Sequence, residues 1–351
     1  MLLRRGASGP AVAEVRARLA HVGLLDPDGS DVFDDHCDHA VRLFQQERGL
    51  TVDGIVGPDT YRRLEEARWQ LGDRVLTYVP LHLITGDDVT ELQRRLNQLG
   101  FDAGRIDGMF GRRTDAALRE FQRSVGIVPD GTCGPETYRA FERLVRTISG
   151  GNAASLRDRI TLSQLQTGVM DKVLVIDPGN DIGADACAEI AARVEGRLAA
   201  LGTQVVLTHA RDAGAELDEA ARADFANRIG ADLLVSIHCD RVSSPHPNGA
   251  ATYYYGEPGG GIHSYSGKRL AELIQDEICH RTGVLDCRSH PRTWDLLRMT
   301  RMAAVRVEVG YLSNARDAER LASTGYQDAV AEGIASGIRA FCAPGPASVS
   351  A

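Results

Sequence analysis

Val89, Leu92, Leu96 and Leu99 recur at the three- and four-residue intervals that line one face of a helix. Leu118 and Phe121 repeat that spacing on a second predicted helix. Gly134-Pro135-Glu136 opens a third, because proline fits a first helical turn and an acid there suits the helix dipole. Asp130-Gly131 between them is a tight-turn dipeptide. The whole pattern also occurs earlier in the chain. Shifted by 77 residues, Val12 falls on Val89, Leu19 on Leu96, Phe33 on Phe110, Phe44-Gln45 on Phe121-Gln122 and Asp53-Gly54 on Asp130-Gly131. One three-helix unit is therefore used twice. Leu19, Phe44, Leu96 and Phe121 are expected to form the cores of the two bundles.

The pattern changes after the repeat. Residues 146–171, with Ser149-Gly150-Gly151-Asn152, lack periodicity and read as a linker. Val173-Leu174-Val175-Ile176 is then a short apolar run ending at Asp177-Pro178-Gly179, as a buried parallel strand would. A helix over about 185–201, a strand at 204–208, a helix at 217–229 and a strand at 233–237 follow. Tyr253–Tyr255, a helix over 266–280 and a strand at 304–309 continue the alternation. Such alternation predicts an α/β domain with a mostly parallel sheet covered on both faces. The predicted layout is module 1 over 1–68, module 2 over 69–145, the linker, an α/β domain over 172–343 and a tail over 344–351.

Composition adds exclusions. The 351 residues are 43% hydrophobic and 25% charged, which fits a globular chain of two or three domains. A net charge of -8 with no Lys/Arg run argues against nucleic acid as a partner. The seven cysteines are odd in number and contain no C-x-x-C pair, so reduced thiols are expected rather than a disulfide framework or a cysteine metal site. No apolar run is long enough for a membrane span. Met1–Gly6 passes straight into a helix pattern without the apolar stretch of a signal peptide, so a cytoplasmic location is expected.

The pattern F-Q-x-x-x-G-[LI]-x-x-D-G-x-x-G-P-x-T resembles the peptidoglycan-binding module of bacterial wall hydrolases, over residues 8–66 and 85–143. Ligand contacts are expected, if anywhere, at Asp53, Gly54, Asp130 and Gly131. In the second half, V-I-D-P-G at 175–179, A-N-R-I-G-A-D-L-L-V-S-I-H at 226–238 and V-E-V-G-Y-L-S-N at 307–314 resemble the zinc-dependent N-acetylmuramoyl-L-alanine amidases of the amidase-3 type. The resemblance implies zinc held by a His after D-P-G, a Glu at the start of the next helix and the His of S-I-H. It also implies a general-base Glu in V-E-x-G.

This sequence keeps His238 and Glu308. Asn180 stands where the family has its first His, and Gly183 or Ala184 where it has its Glu. Asp185 and Glu189 are the nearest acids. His209, His246, His263, Cys239 and Asp240 are the other candidate donors, although Cys239 should point away from His238 on a strand. An amide is a weaker ligand than imidazole, and a catalytic zinc needs three protein ligands, so the zinc site is expected to be degenerate and metal-free. Glu308 on an apolar strand then needs a basic or bound partner.

Tandem modules before such a domain, with Glu195-Gly196-Arg197 and Arg292-Thr293-Trp294-Asp295-Leu296-Leu297-Arg298, resemble an actinobacterial subgroup of this family. That resemblance implies an intracellular pseudoenzyme regulating peptidoglycan precursor synthesis. The implied partners are UDP-N-acetylglucosamine enolpyruvyl transferase, the lipid-precursor flippase and a serine/threonine kinase. The kinase link is weakened because Ala343–Ala351 lacks the tail threonine of relatives. The alternatives are a working zinc amidase cutting the MurNAc–L-Ala amide bond, or an exported wall-binding protein.

Overall fold

The structure is a computed structural model that describes residues 2–144, 162, 164–179, 183–208, 217–242, 244–257 and 262–344. The chain divides into two compact units, Met1–Arg157 and Asp158–Ala351.

The first unit holds the repeat: α1 (Pro10–His21), α2 (Asp35–Glu47) and α3 (Pro58–Glu66), then α4 (Asp87–Gln98), α5 (Arg112–Ser124) and α6 (Pro135–Leu144). Leu19, Phe44, Leu96 and Phe121 are buried as expected. Phe121 stacks on Phe141 at 4.0 Å between ring centres and meets Phe101 edge-on at 5.6 Å. Each such ring contributes on the order of 2 kcal/mol by burial.

A buried glutamine fastens each turn. Gln45 Nε2 donates to Asp53 Oδ1 (2.8 Å), Ile55 O (3.0 Å) and Thr60 Oγ1 (3.1 Å), while its Oε1 accepts from Gly54 N (2.9 Å). Gln122 does the same for Asp130, Thr132, Thr137 and Gly131. Gln93 repeats the arrangement with Asp107, Met109, Thr114 and Gly108. At the place equivalent to Gln93 in the first module, Arg16 instead pairs with Asp28 and Asp34. Gly54 and Gly131 have φ near +73° and +72°, which glycine adopts without strain. The Asp-Gly pairs singled out as ligand contacts are thus tied into the fold: Asp53 and Asp130 each hold a glutamine and their own turn.

The second unit contains β1 (Val173–Pro178), α7 (Ala184–Ala199), β2 (Gln204–Leu207), α8 (Glu219–Arg228), β3 (Leu233–Asp240), β4 (Ala250–Tyr255) and α9 (Tyr265–Thr282). β5 (Asp286–Arg292), α10 (Asp295–Met299), β6 (Ala303–Tyr311), α11 (Ala315–Ala322) and α12 (Thr324–Cys342) complete it. The sheet order is β2-β1-β3-β6-β4-β5, with β4 antiparallel to β6 and its other described pairings parallel. One face, with Ile176, Val235, Ile237, Val305 and Val307, packs on α7, α9 and α12. Gly333 and Gly337 let α12 approach α9 closely: a Cβ on either would lie 3.0 or 2.7 Å from the Cα of Ile278 or Ile274.

Two expectations are corrected. The linker read as 146–171 falls mostly outside the described residues, but Leu165 is buried in the second core and Gly168 N donates to Cys342 O (2.7 Å). Its last residues therefore belong to the α/β domain. β5 and α10 through α12 were not predicted as separate elements. β5 reads D-C-R-S-H-P-R, an edge strand with no apolar alternation to reveal it.

Gln122→Ala removes four hydrogen bonds and strands buried partners. It is expected to destabilise the second module by about 2–3 kcal/mol in urea unfolding of the full chain.

Candidate functional site

Residues two apart on a strand share a face. Opposite the apolar core, this rule gathers Asp177, Ser236, His238, Arg306, Glu308 and Tyr253. Asp177, His238 and Glu308 lie toward the carboxyl ends of β1, β3 and β6, where ligands bind in open α/β sheets. β3 and β6 run parallel with His238 level with Glu308, so the two family residues retained by the sequence stand side by side.

Each is already engaged. Asp177 is fully buried and accepts from Thr208 Oγ1 and Ser236 Oγ, both at 2.5 Å, with Arg222 Nη1 at 3.4 Å. Ser236 Oγ also lies 2.7 Å from His238 Nε2. The Ser236 hydroxyl thus lies between the Asp177 carboxylate and the imidazole, and the ring's other nitrogen is Nδ1. That edge packs against Gly179, where a Cβ would stand 2.7 Å from Nδ1.

Glu308 is buried and finds the partner its position demands. Tyr253 OH donates to its Oε2 (3.1 Å), and Arg306 Nη2 lies 3.3 Å from Oε1. Arg306 also pairs with Glu219 (3.2 Å). Burial raises the Glu308 pKa above the usual carboxylate range; Arg306 opposes this and Asp240 adds to it. Burial and Glu308 together raise Tyr253, and push Tyr311 up to about 12. Trp294 packs 4.7 Å from the Tyr253 ring, with the Arg306 guanidinium over it at 4.6 Å. Sequence reasoning missed Asp177, Ser236, Tyr253 and Arg306 as site residues. For Ser236 and Arg306 the i, i+2 spacing from His238 and Glu308 was the available signal; Asp177 and Tyr253 come from other strands, and only the fold brings them in.

Among the described residues, the remaining candidates do not join His238 in a metal-holding group. Asn180 and His209 lie outside the described residues. Gly183 caps α7 at φ +87°, and a Cβ there would meet Cys239 Cβ at 2.8 Å and Leu312 Cδ1 at 3.0 Å. Asp185 sits in the first turn of α7, and Glu189 pairs with Arg193 at 2.6 Å. Cys239 faces the opposite side, its Sγ 3.6 Å from that of Cys187 in the apolar core. Among the described residues, no group of three His, Cys, Asp or Glu could hold a metal ion. All seven cysteines are free thiols, and no described helix is long and apolar enough to cross a membrane.

Comparison with known proteins agrees with this architecture. The N-acetylmuramoyl-L-alanine amidase family model matches residues 176–340, and the peptidoglycan binding domain matches 8–64 and 85–141. The chain is 42% identical over 365 residues to N-acetylmuramoyl-L-alanine amidase CwlM of Mycobacterium tuberculosis, covering 96% of this chain and 88% of that one. It is 31% identical over 198 residues to the amidase LytC of Bacillus subtilis, covering 53% of this chain and 38% of LytC. Among solved structures, the catalytic domain of the amidase CwlV from Bacillus (Paenibacillus) polymyxa is 30% identical with a TM-score of 0.44, covering 48% of this chain and 97% of that domain.

Two predictions follow from this geometry. Because the folded pKa of Glu308 is raised, its contribution to stability is fully present below the unfolded carboxylate pKa and is lost as pH rises through the folded value. Glu308→Gln is expected to remove that component from the pH profile of the unfolding midpoint. Second, Gly183→Glu with Asn180→His is expected to cost about 2–4 kcal/mol by left-handed strain and overpacking. Elemental analysis of that double variant should find no more zinc than in the parent.

Proposed function

The chain belongs to the N-acetylmuramoyl-L-alanine amidase family and carries two peptidoglycan binding domains, and from that premise we propose that its amidase domain is a metal-free pseudoenzyme that binds peptidoglycan precursors and regulates their synthesis. Gly183 and Ala184 carry this reading: the resemblance places the family's acidic ligand at one or the other, and neither has a side-chain donor, while the space a side chain would need at Gly183 is filled by Cys239. Asn180 compounds the loss by offering a neutral amide in place of imidazole. His238 and Glu308 then serve as parts of a polar lining, held by Ser236, Tyr253 and Arg306.

In this reading the modules and the amidase-like face bind muropeptide chemistry without turning it over. The protein acts in the cytoplasm, on the enolpyruvyl transferase and the lipid-precursor flippase, as the resemblance implies. Control by a serine/threonine kinase would need a phosphorylation site other than a threonine in Ala343–Ala351.

A second reading has one observation behind it. His238 and Glu308, where the resemblance places a zinc ligand and the general base, are level on adjacent strands. It makes the protein a zinc amidase with displaced ligands, and it agrees with the names of CwlM and LytC.

The two readings separate cleanly. Full chain purified without added metal or a polyhistidine tag should contain far less than one zinc per chain. Supplied with zinc, it should release no stem peptide from muropeptides, and muropeptide binding should survive EDTA. One zinc per chain with metal-dependent release, lost in His238→Ala, establishes the amidase instead.

A further inference from the structure

Arg292 closes β5 beside Tyr255 of β4, and its carbonyl accepts from Gly256 N at 3.0 Å. Its guanidinium lies 5.4 Å from the Tyr253 ring centre and 5.9 Å from that of Trp294. Its one side-chain hydrogen bond among the described residues is from Nη1 to the Pro291 carbonyl (3.0 Å). The other arginines around this face are matched by carboxylates: Arg222 by Asp177, Arg298 by Asp295, and Arg306 by Glu219 and Glu308. No carboxylate among the described residues lies within ion-pair distance of Arg292.

A half-buried guanidinium held against aromatic rings is pre-oriented, with its paired N–H groups available to a planar acceptor. Carboxylate and phosphate both offer one. The surroundings favour carboxylate. Tyr253, whose ring Arg292 packs against, is hydrogen-bonded to the Glu308 carboxylate, so an acid stands on the far side of the ring's hydroxyl from the cation. A diphosphate would bring two or more negative charges toward that acid. A peptide would bring one carboxylate for Arg292, with an amide N–H for Glu308.

We propose that Arg292, with Tyr253, Trp294 and Glu308, forms a subsite that anchors a carboxylate of a peptidoglycan stem peptide. The subsite rests on the reading that this domain binds muropeptides. It adds the part of the ligand recognised and the residue that recognises it.

The test is calorimetric titration of the full chain with a muramyl tetrapeptide bearing free carboxylates, the same tetrapeptide with its carboxyls amidated, and UDP-N-acetylglucosamine. Loss of one charge-assisted bidentate contact should weaken binding of the free tetrapeptide by about tenfold or more in Arg292→Gln. Arg292→Lys should fall between the two, and the amidated peptide should bind wild type weakly and be indifferent to Arg292. Thermal unfolding of both variants should match wild type. Equal affinity of Arg292→Gln for the free peptide overturns the subsite, as does tight binding of the amidated peptide. Arg292-dependent binding of the nucleotide sugar in place of the peptide also overturns it, since phosphate is then the ligand. Loss of wild-type binding in EDTA sinks the metal-free reading instead, and the Arg292 comparison repeated with zinc then judges the subsite alone. A wild-type chain that binds no muramyl peptide refutes both.

Discussion

The two-residue repeat of a β-strand is the constraint on which the second unit depends. It sends Val235, Ile237 and Cys239 into the apolar core and Ser236 and His238 to the other side. On β6 it sends Val305 and Val307 inward and Arg306 and Glu308 outward. A slip of one residue would bury two charges in a hydrocarbon layer and expose the core, at a cost far beyond the margin by which domains are stable. The polar face is therefore fixed by the same register that builds the core.

The two buried carboxylates of that face, Asp177 and Glu308, are balanced by neighbouring side chains. Asp177 has Arg222 and two hydroxyls; Glu308 has Arg306 and a phenol. Burying an ion without a partner costs several kcal/mol, so these pairings keep an apolar strand compatible with a carboxylate.

Much of this was legible in the sequence. Gapless repetition marked the two modules, because helical spacing and turn dipeptides survive in single residues such as Phe44, Asp53 and Gly57. Apolar runs marked β1 and β3, since strands buried on a sheet need them. β5 escaped because an edge strand made of Asp, Arg, Ser, His and Pro carries no such run. The glutamine fasteners escaped because a buried Gln looks like a surface one until its partners, 8 to 21 residues away, are brought round by the turn. The same holds for Tyr253 and Arg306. Their meaning comes from Glu308, which lies next to them in space but in the first case 55 positions along the chain.

Gly183 has a steric consequence. The room a side chain would need at that position is taken by Cys239 and Leu312, which lie far along the chain. With a φ of +87° besides, the position is restricted to glycine. Residues from three distant segments thus fix together how the backbone enters α7.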